Sequence, residues 1–264
     1  MLVRVEREGK IGELVLNRPE KLNALNEPLL EEFSAGLTEL GRDDSISCII
    51  IRGEGRAFSV GYDIAMGREG VEFEDNAYLD WVDLRKRVER WIQILDTPKP
   101  VMTAIHGYCM GGATMLSVCA DLTVVSDDAL MGWPSLPLGS GLLGPVSMWL
   151  IGPKRAKELS FVAGSSFSGA EAVQNGWANR AVPEDRMLEV AHELAADIAR
   201  TPLSLLRLKK LAFNRVLDVQ GFRESVLFGV EWDTISHTAA EATRNANLIE
   251  QLGLKGAIAR FRAS

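Results

Sequence analysis

Two stretches of this chain, 100–120 and 129–153, contain no Asp, Glu, Lys or Arg. In a protein of 264 residues with 25% charged residues, such windows belong out of water, in a core or in a membrane. Gly107, Gly111 and Gly112 split the first, and Pro134, Pro137 and Pro145 split the second. Proline removes amide donors that a spanning helix needs, so both windows are expected as buried core of a soluble fold with no membrane association. They also restrict the chemistry, because neither can supply a carboxylate, a lysine or an arginine.

The rest of the composition narrows the partners. With 29 Lys+Arg against 36 Asp+Glu the net charge is −7, a poor start for neutralising phosphates, so no nucleic-acid partner is expected. Arg4, Glu6 and Arg7 stand where a signal peptide needs an apolar run. Cys48, Cys109 and Cys119 form no CxxC pair, which suits a reducing cytoplasm and gives no metal site.

Periodicity orders the chain as α/β first and helical afterwards. Ile11–Leu16, 46–52, Val101–Ile105 and 122–125 read as strands. Asn26 caps a helix starting near Pro28, with Leu29, Leu30, Phe33, Leu37 and Leu40 along one face. A long helix is expected over 77–95, and Ser168-Gly169-Ala170-Glu171 has the form of a capping box. From Glu184 the pattern is helical: one helix from Pro202 with Leu205, Leu208 and Leu211, another after Gly221, and a last one over 255–261. There is no internal sequence repeat. The expected division is a core of 1–183 and a helical region of 184–264.

Gly139-Ser140-Gly141-Leu142-Leu143-Gly144 matches a dinucleotide fingerprint by letter only. Pro134 and Pro137 stand where the motif needs a strand, so it reads as a glycine-rich loop. Two strand exits are more informative: Arg56-Ala57-Phe58-Ser59-Val60-Gly61-Tyr62-Asp63-Ile64, and His106-Gly107-Tyr108-Cys109-Met110-Gly111-Gly112-Ala113. Glycines at such exits let backbone N–H groups face an anion, and two of them converging make an oxyanion hole.

With Leu16-Asn17-Arg18-Pro19, Leu22-Asn23-Ala24-Leu25, Ala120-Asp121-Leu122 and the stretch 164–182, these blocks make the chain resemble the crotonase (enoyl-CoA hydratase/isomerase) superfamily over nearly its whole length. The resemblance implies a crotonase-like spiral of ββα units, a C-terminal helical region that makes a homotrimer or a dimer of trimers, and an acyl-CoA thioester as substrate with no further cofactor. It implies that Val60 and Gly112 donate the two N–H groups to the thioester oxygen. Ala24, Leu25, Ser59, Gly61, Tyr62, Asp63, Ile64, Gly111 and Trp133 then fall around the substrate. Arg18, Lys21 and Arg56 lie beside the matching blocks, near enough in sequence to meet the phosphates of coenzyme A, and Arg260 in the last helix matches a basic residue that reaches a ligand.

The chain departs from the hydratases of that superfamily at the two glutamates that handle water. Their positions hold Met115 and Ser135, and no carboxylate occurs between Asp96 and Asp121 or between Asp128 and Glu158. Hydration needs a base for the water and an acid for the α-carbon, and neither residue supplies them. Asp63 and His106 are the remaining titratable candidates for catalysis, though a structural Asp63 and a core His106 are the plainer readings. Asp80, Asp83 and Glu72 are read as surface charges. Enolate-stabilising chemistry without those acids leaves decarboxylation, isomerisation or hydrolysis open, and a catalytically silent acyl-CoA-binding protein is the alternative.

Overall fold

The computed structural model describes residues 1–63, 77–133, 144–162 and 164–263. Six strands form the main sheet in the order β1-β2-β3-β4-β6-β9. They are β1 (Val3–Glu8), β2 (Ile11–Leu16), β3 (Cys48–Gly53), β4 (Val101–Ile105), β6 (Leu122–Ser126) and β9 (Arg180–Val182). Only the β1–β2 pair is antiparallel. A parallel sheet needs both faces covered, and β2 and β4 accordingly are buried at every residue.

A second sheet, β5 (Tyr108–Met110), β7 (Leu130–Gly132) and β8 (Phe167–Ser168), grows out of the first. β5 follows β4 after His106 and Gly107, and β7 follows β6 almost as closely. Single parallel bridges, Ser59 to Cys109 and Leu25 to Tyr62, extend the same layer to the earlier turns. Each turn therefore runs from a main-sheet strand through a short second-layer segment into a helix, which is the expected spiral. These short segments leave little mark on hydrophobic periodicity, and they, β1 and β9 are absent from the sequence reading.

One face of the main sheet carries α1 (Glu27–Arg42), α2 (Ala77–Asp96) and α3 (Thr114–Cys119). Asn26 caps α1 by accepting from Leu29 N–H at 3.1 Å, and Leu29, Leu30, Phe33, Leu37 and Leu40 are buried as the pattern predicts. Full burial of one such side chain is worth about 1.5–3 kcal/mol. The capping box at Ser168 forms and opens α5 (Gly169–Gln174). The remaining helices are α4 (Met148–Phe161), α6 (Glu184–Ile198), α7 (Leu203–Val219), α8 (Phe222–His237) and α9 (Ala240–Ala263).

Two features lie beyond the sequence reading. α6 lies on the other face of the main sheet, where Met187, Ala191 and Ala195 meet Ile50, Met102 and Ala104. The helical region thus begins with a helix packed on the main sheet. α7 turns Leu206 and Lys210 inward, while Leu205, Leu208 and Leu211 face outward at 48%, 62% and 63% exposure. Its most regular apolar stripe is outside. Lys210 fixes this orientation: its ammonium donates to Ile94 O and Lys99 O at 3.0 Å and to Asp121 Oδ2 at 2.7 Å. No helix among the described residues is long and apolar enough to cross a membrane.

Candidate active site

The blocks singled out in the sequence lie side by side. Asn23, fully buried with φ +54°, accepts from Arg18 N–H and donates through Nδ2 to Glu54 O at 2.9 Å and Ala57 O at 2.8 Å. Asparagine tolerates this left-handed backbone better than most residues. Leu25 N–H donates to Gly61 O and Asp63 N–H to Leu25 O, which zips the 22–25 segment onto 59–63. Ser59 Oγ donates to Asn23 O at 2.7 Å and accepts from Gly61 N–H at 3.2 Å. On its other side the 58–60 segment pairs with β5: Ser59 N–H donates to Tyr108 O, and Met110 N–H to Ser59 O.

This zipper brings Val60 and Gly112 onto adjoining turns. Gly61 has φ +91°, and a Cβ there would lie 2.6 Å from Met110 O and 3.3 Å from Gly112 N. Glycine is required because of both its conformation and the close approach. Gly111 opens a short 3-10 turn, Gly111–Ala113, and Gly112 follows it in the first turn, so the Gly112 N–H has no partner within that turn. Val60 N–H donates to Leu22 O at 3.2 Å, a long bond.

Tyr62 walls this place. A methyl group on Gly112 would lie 2.5 Å from Tyr62 Cε2, so the ring sits directly on the glycine. Its hydroxyl accepts from Trp91 Nε1 at 3.3 Å, and the Arg87 guanidinium lies 5.6 Å from its ring centroid. Burial pushes the phenol up to about 12, so it stays protonated through the neutral range. Met115, on α3, is completely buried in the core that also holds Ala113 and Leu116.

The titratable candidates divide sharply. The Asp63 carboxylate lies 2.5 Å from Arg18 Nη1, and Arg18 also donates to Ala24 O. Arg18 is thereby tied inside the chain, whereas Lys21 and Arg56 are exposed beside it and Arg260 is exposed on α9. His106 extends the β4 alternation toward α6, opposite Met115. Its Nε2 bonds Gly55 O at 2.7 Å, and the ring borders a cavity of about 170 Å³ with Arg52, Glu184 and Met187. The structure thus places His106 away from the Val60 and Gly112 turns. Asp80 corrects the sequence reading, being buried and 2.8 Å from His237 Nδ1; that hydrogen bond raises the His237 pKa. Asp83 is a surface charge paired with Arg87. Ile64, Glu72, Ser135 and the 139–143 part of the glycine-rich loop lie outside the described residues.

Burial pushes the Cys48 and Cys119 thiols up to about 12 and raises Cys109 as well, so none is a ready nucleophile. Glu8, Glu13 and His192 offer ligand atoms within 4.8 Å of one another on the α6 side, but Glu13 is already paired with Arg52. Sequence reasoning missed the scaffolding role of Asn23 and the Lys210–Asp121 pair. The first lay in a recognised block without a stated role, and nothing around Lys210 marks it as a buried lysine.

Residues 6–247 match the family model described as enoyl-CoA hydratase/isomerase. A short-chain-enoyl-CoA hydratase from Clostridium acetobutylicum is 31% identical over 217 residues, covering 81% of each chain. A crotonyl-CoA hydratase from Syntrophomonas wolfei is 29% identical over 94% of this chain and 97% of its own. Among solved structures, one from Novosphingobium aromaticivorans superimposes with a TM-score of 0.93 at 33% identity, covering 98% of this chain and 94% of that one. An enoyl-CoA hydratase from Mycobacterium smegmatis gives 0.90 at 26% identity, with 98% and 92% covered.

Proposed function

Because the chain belongs to the enoyl-CoA hydratase/isomerase family, we propose that it is an acyl-CoA enzyme that stabilises a thioester enolate and is a poor hydratase. The observation that carries this reading is the pairing of the Val60 and Gly112 turns beside a fully buried Met115. Two backbone donors that converge on a thioester oxygen stabilise the charge that develops there, and each is worth about 10²–10³ in rate. Val60 N–H exchanges its long bond to Leu22 O for the substrate oxygen, which is a small loss against a charged acceptor.

Among the described residues, the acid and base are what the site lacks. Met115 transfers no proton, and Asp63 is held by Arg18. Chemistry that generates the enolate without a strong base fits best. In decarboxylation the electron pair of the breaking C–CO₂ bond passes into the thioester oxygen, and a solvent proton then quenches the carbanion. The coenzyme A phosphates are read as meeting exposed Lys21 and Arg56, with Arg260 reaching a ligand of its own or an adjacent subunit. Three copies are expected to bury the outward face of α7 and α8, where Phe213, Val216, Val219, Phe228 and Trp232 are exposed.

The direct test is hydration of crotonyl-CoA. Turnover far below ~10 s⁻¹, a median enzyme rate, is expected, and Met115→Glu with Ser135→Glu should raise it. Parent turnover at that median would refute the assignment. Sedimentation tests assembly: a stable monomer at micromolar concentration would defeat the trimer. A silent acyl-CoA binder is the second reading, favoured by the buried Met115, and saturable thioester binding without product from a broad panel would select it.

A further inference from the structure

Trp133 leaves β7 next to the Gly111–Gly112 turn, because the parallel register sets Met110 opposite Gly132 and the following residues side by side. Its indole is 4% exposed and closely held. Trp177 packs at 5.3 Å between centroids, and a Cβ on Gly144 would lie 3.2 Å from Trp133 Cδ2. Yet Trp133 Nε1–H has no hydrogen-bond partner. Its neighbour has the opposite fate. Trp177 Nε1–H donates to Ser117 Oγ at 2.9 Å, and that hydroxyl continues through Thr123 Oγ1 to Thr103 Oγ1.

An orphaned buried indole donor is unusual, since buried tryptophan N–H groups find acceptors and a missing one costs stability. It does not stand alone. Ser147 Oγ, in the 3-10 turn Gly144–Ser147 that backs the indole, is also buried without a partner. So is Thr234 Oγ1, on α8, which packs against that turn. Two of these atoms, the Trp133 indole N–H and the Ser147 hydroxyl, share the turn that backs Trp133, next to the candidate thioester site.

We propose that Trp133 Nε1–H reads an oxygen on the acyl group, so that the preferred thioester is an oxygenated acyl-CoA rather than a plain hydrocarbon one. This rests on the acyl-CoA reading of the site. The required chemistry is an acceptor oxygen a few bonds beyond the thioester, which a keto, hydroxyl or carboxylate group supplies. The Ser147 hydroxyl, on the turn behind the indole, adds a donor and an acceptor. A hydrocarbon chain would leave the indole N–H unsatisfied in the complex, and that penalty is the source of discrimination.

Calorimetric titration of the full chain with acetoacetyl-CoA, 3-hydroxybutyryl-CoA, malonyl-CoA and butyryl-CoA tests this. At least one oxygenated thioester should bind about tenfold more tightly than butyryl-CoA, as one net hydrogen bond allows. Trp133→Phe should erase that preference, weakening the preferred oxygenated thioester about tenfold relative to butyryl-CoA. In the unmodified protein, one indole N–H resonance should move downfield with the preferred thioester and stay put with butyryl-CoA, a readout that needs no variant. Equal binding of all four, or equal weakening of all four in Trp133→Phe, overturns the proposal while leaving the acyl-CoA reading intact. Failure of all four to bind the unmodified protein overturns both.

Discussion

Replacing Lys210 with Met removes a buried ammonium and leaves a methyl thioether of similar length in its place. Three acceptors lose their donor: Ile94 O, Lys99 O and Asp121 Oδ2. Of these, Asp121 matters most. Its carboxylate accepts from Val101 N–H at 2.7 Å and is otherwise neutralised by Lys210. Lys210 is buried but the Asp121 side chain is 23% exposed, so water takes over part of the lost partner and the loss is about 1–3 kcal/mol. Urea unfolding at fixed protein concentration should therefore show a loss of that size near neutral pH, with an unchanged m-value. The pH dependence identifies the cause. Burial holds the Asp121 carboxyl above its ordinary range while Lys210 pulls it down. Without Lys210 it rises further, so the folded chain binds a proton more tightly than the unfolded chain. Stability is then regained as pH falls through the folded pKa, and the gap to the parent narrows toward acid pH. Adding Asp121→Asn, which keeps the acceptor for Val101 N–H and removes the charge, should recover about half the loss or more. A single-variant loss below about 1 kcal/mol, flat with pH, or a double variant that falls by the sum of both losses, would refute this account.

Gly112→Ala places a methyl group 2.5 Å from the Tyr62 ring, so the Gly112 turn or the ring must move. On the proposed function, any thioester reaction should fall by about 10²–10³ through displacement of the N–H donor, while urea stability changes far less. Steady-state rates and unfolding curves on the same preparation check both halves. The Asp80 hydrogen bond raises the His237 pKa, so the pair stabilises the α2–α8 contact fully below the unfolded value of about 6.5 and loses that contribution as pH rises through the folded value. His237→Ala should accordingly lower the urea midpoint at pH 5.5 more than at pH 8.5; equal shifts would show that the charge plays no part.

The sequence alone carried four central strands, the helices between and after them, the cap at Asn26 and the box at Ser168, because each is set by spacing over a few residues. It also showed Met115 and Ser135 where the resemblance puts glutamates, since a missing carboxylate is visible as letters. It gave no view of the second sheet, whose strands are three residues or fewer and are held mainly by pairing with distant segments. Nor did it place α6 against the main sheet or turn α7 inside out, because an amphipathic pattern shows that a helix has two faces but not which neighbour takes each. For α7 that choice depends on Lys210 reaching Asp121 and two carbonyls at the ends of other elements. His106 and Asp80 make the same point for the site. Both are titratable groups near recognised motifs, and only the tertiary structure sends one to the α6 side and buries the other against His237. Local order follows from local spacing, whereas the environment of a side chain is made by residues far away in the chain, and chemistry depends on that environment.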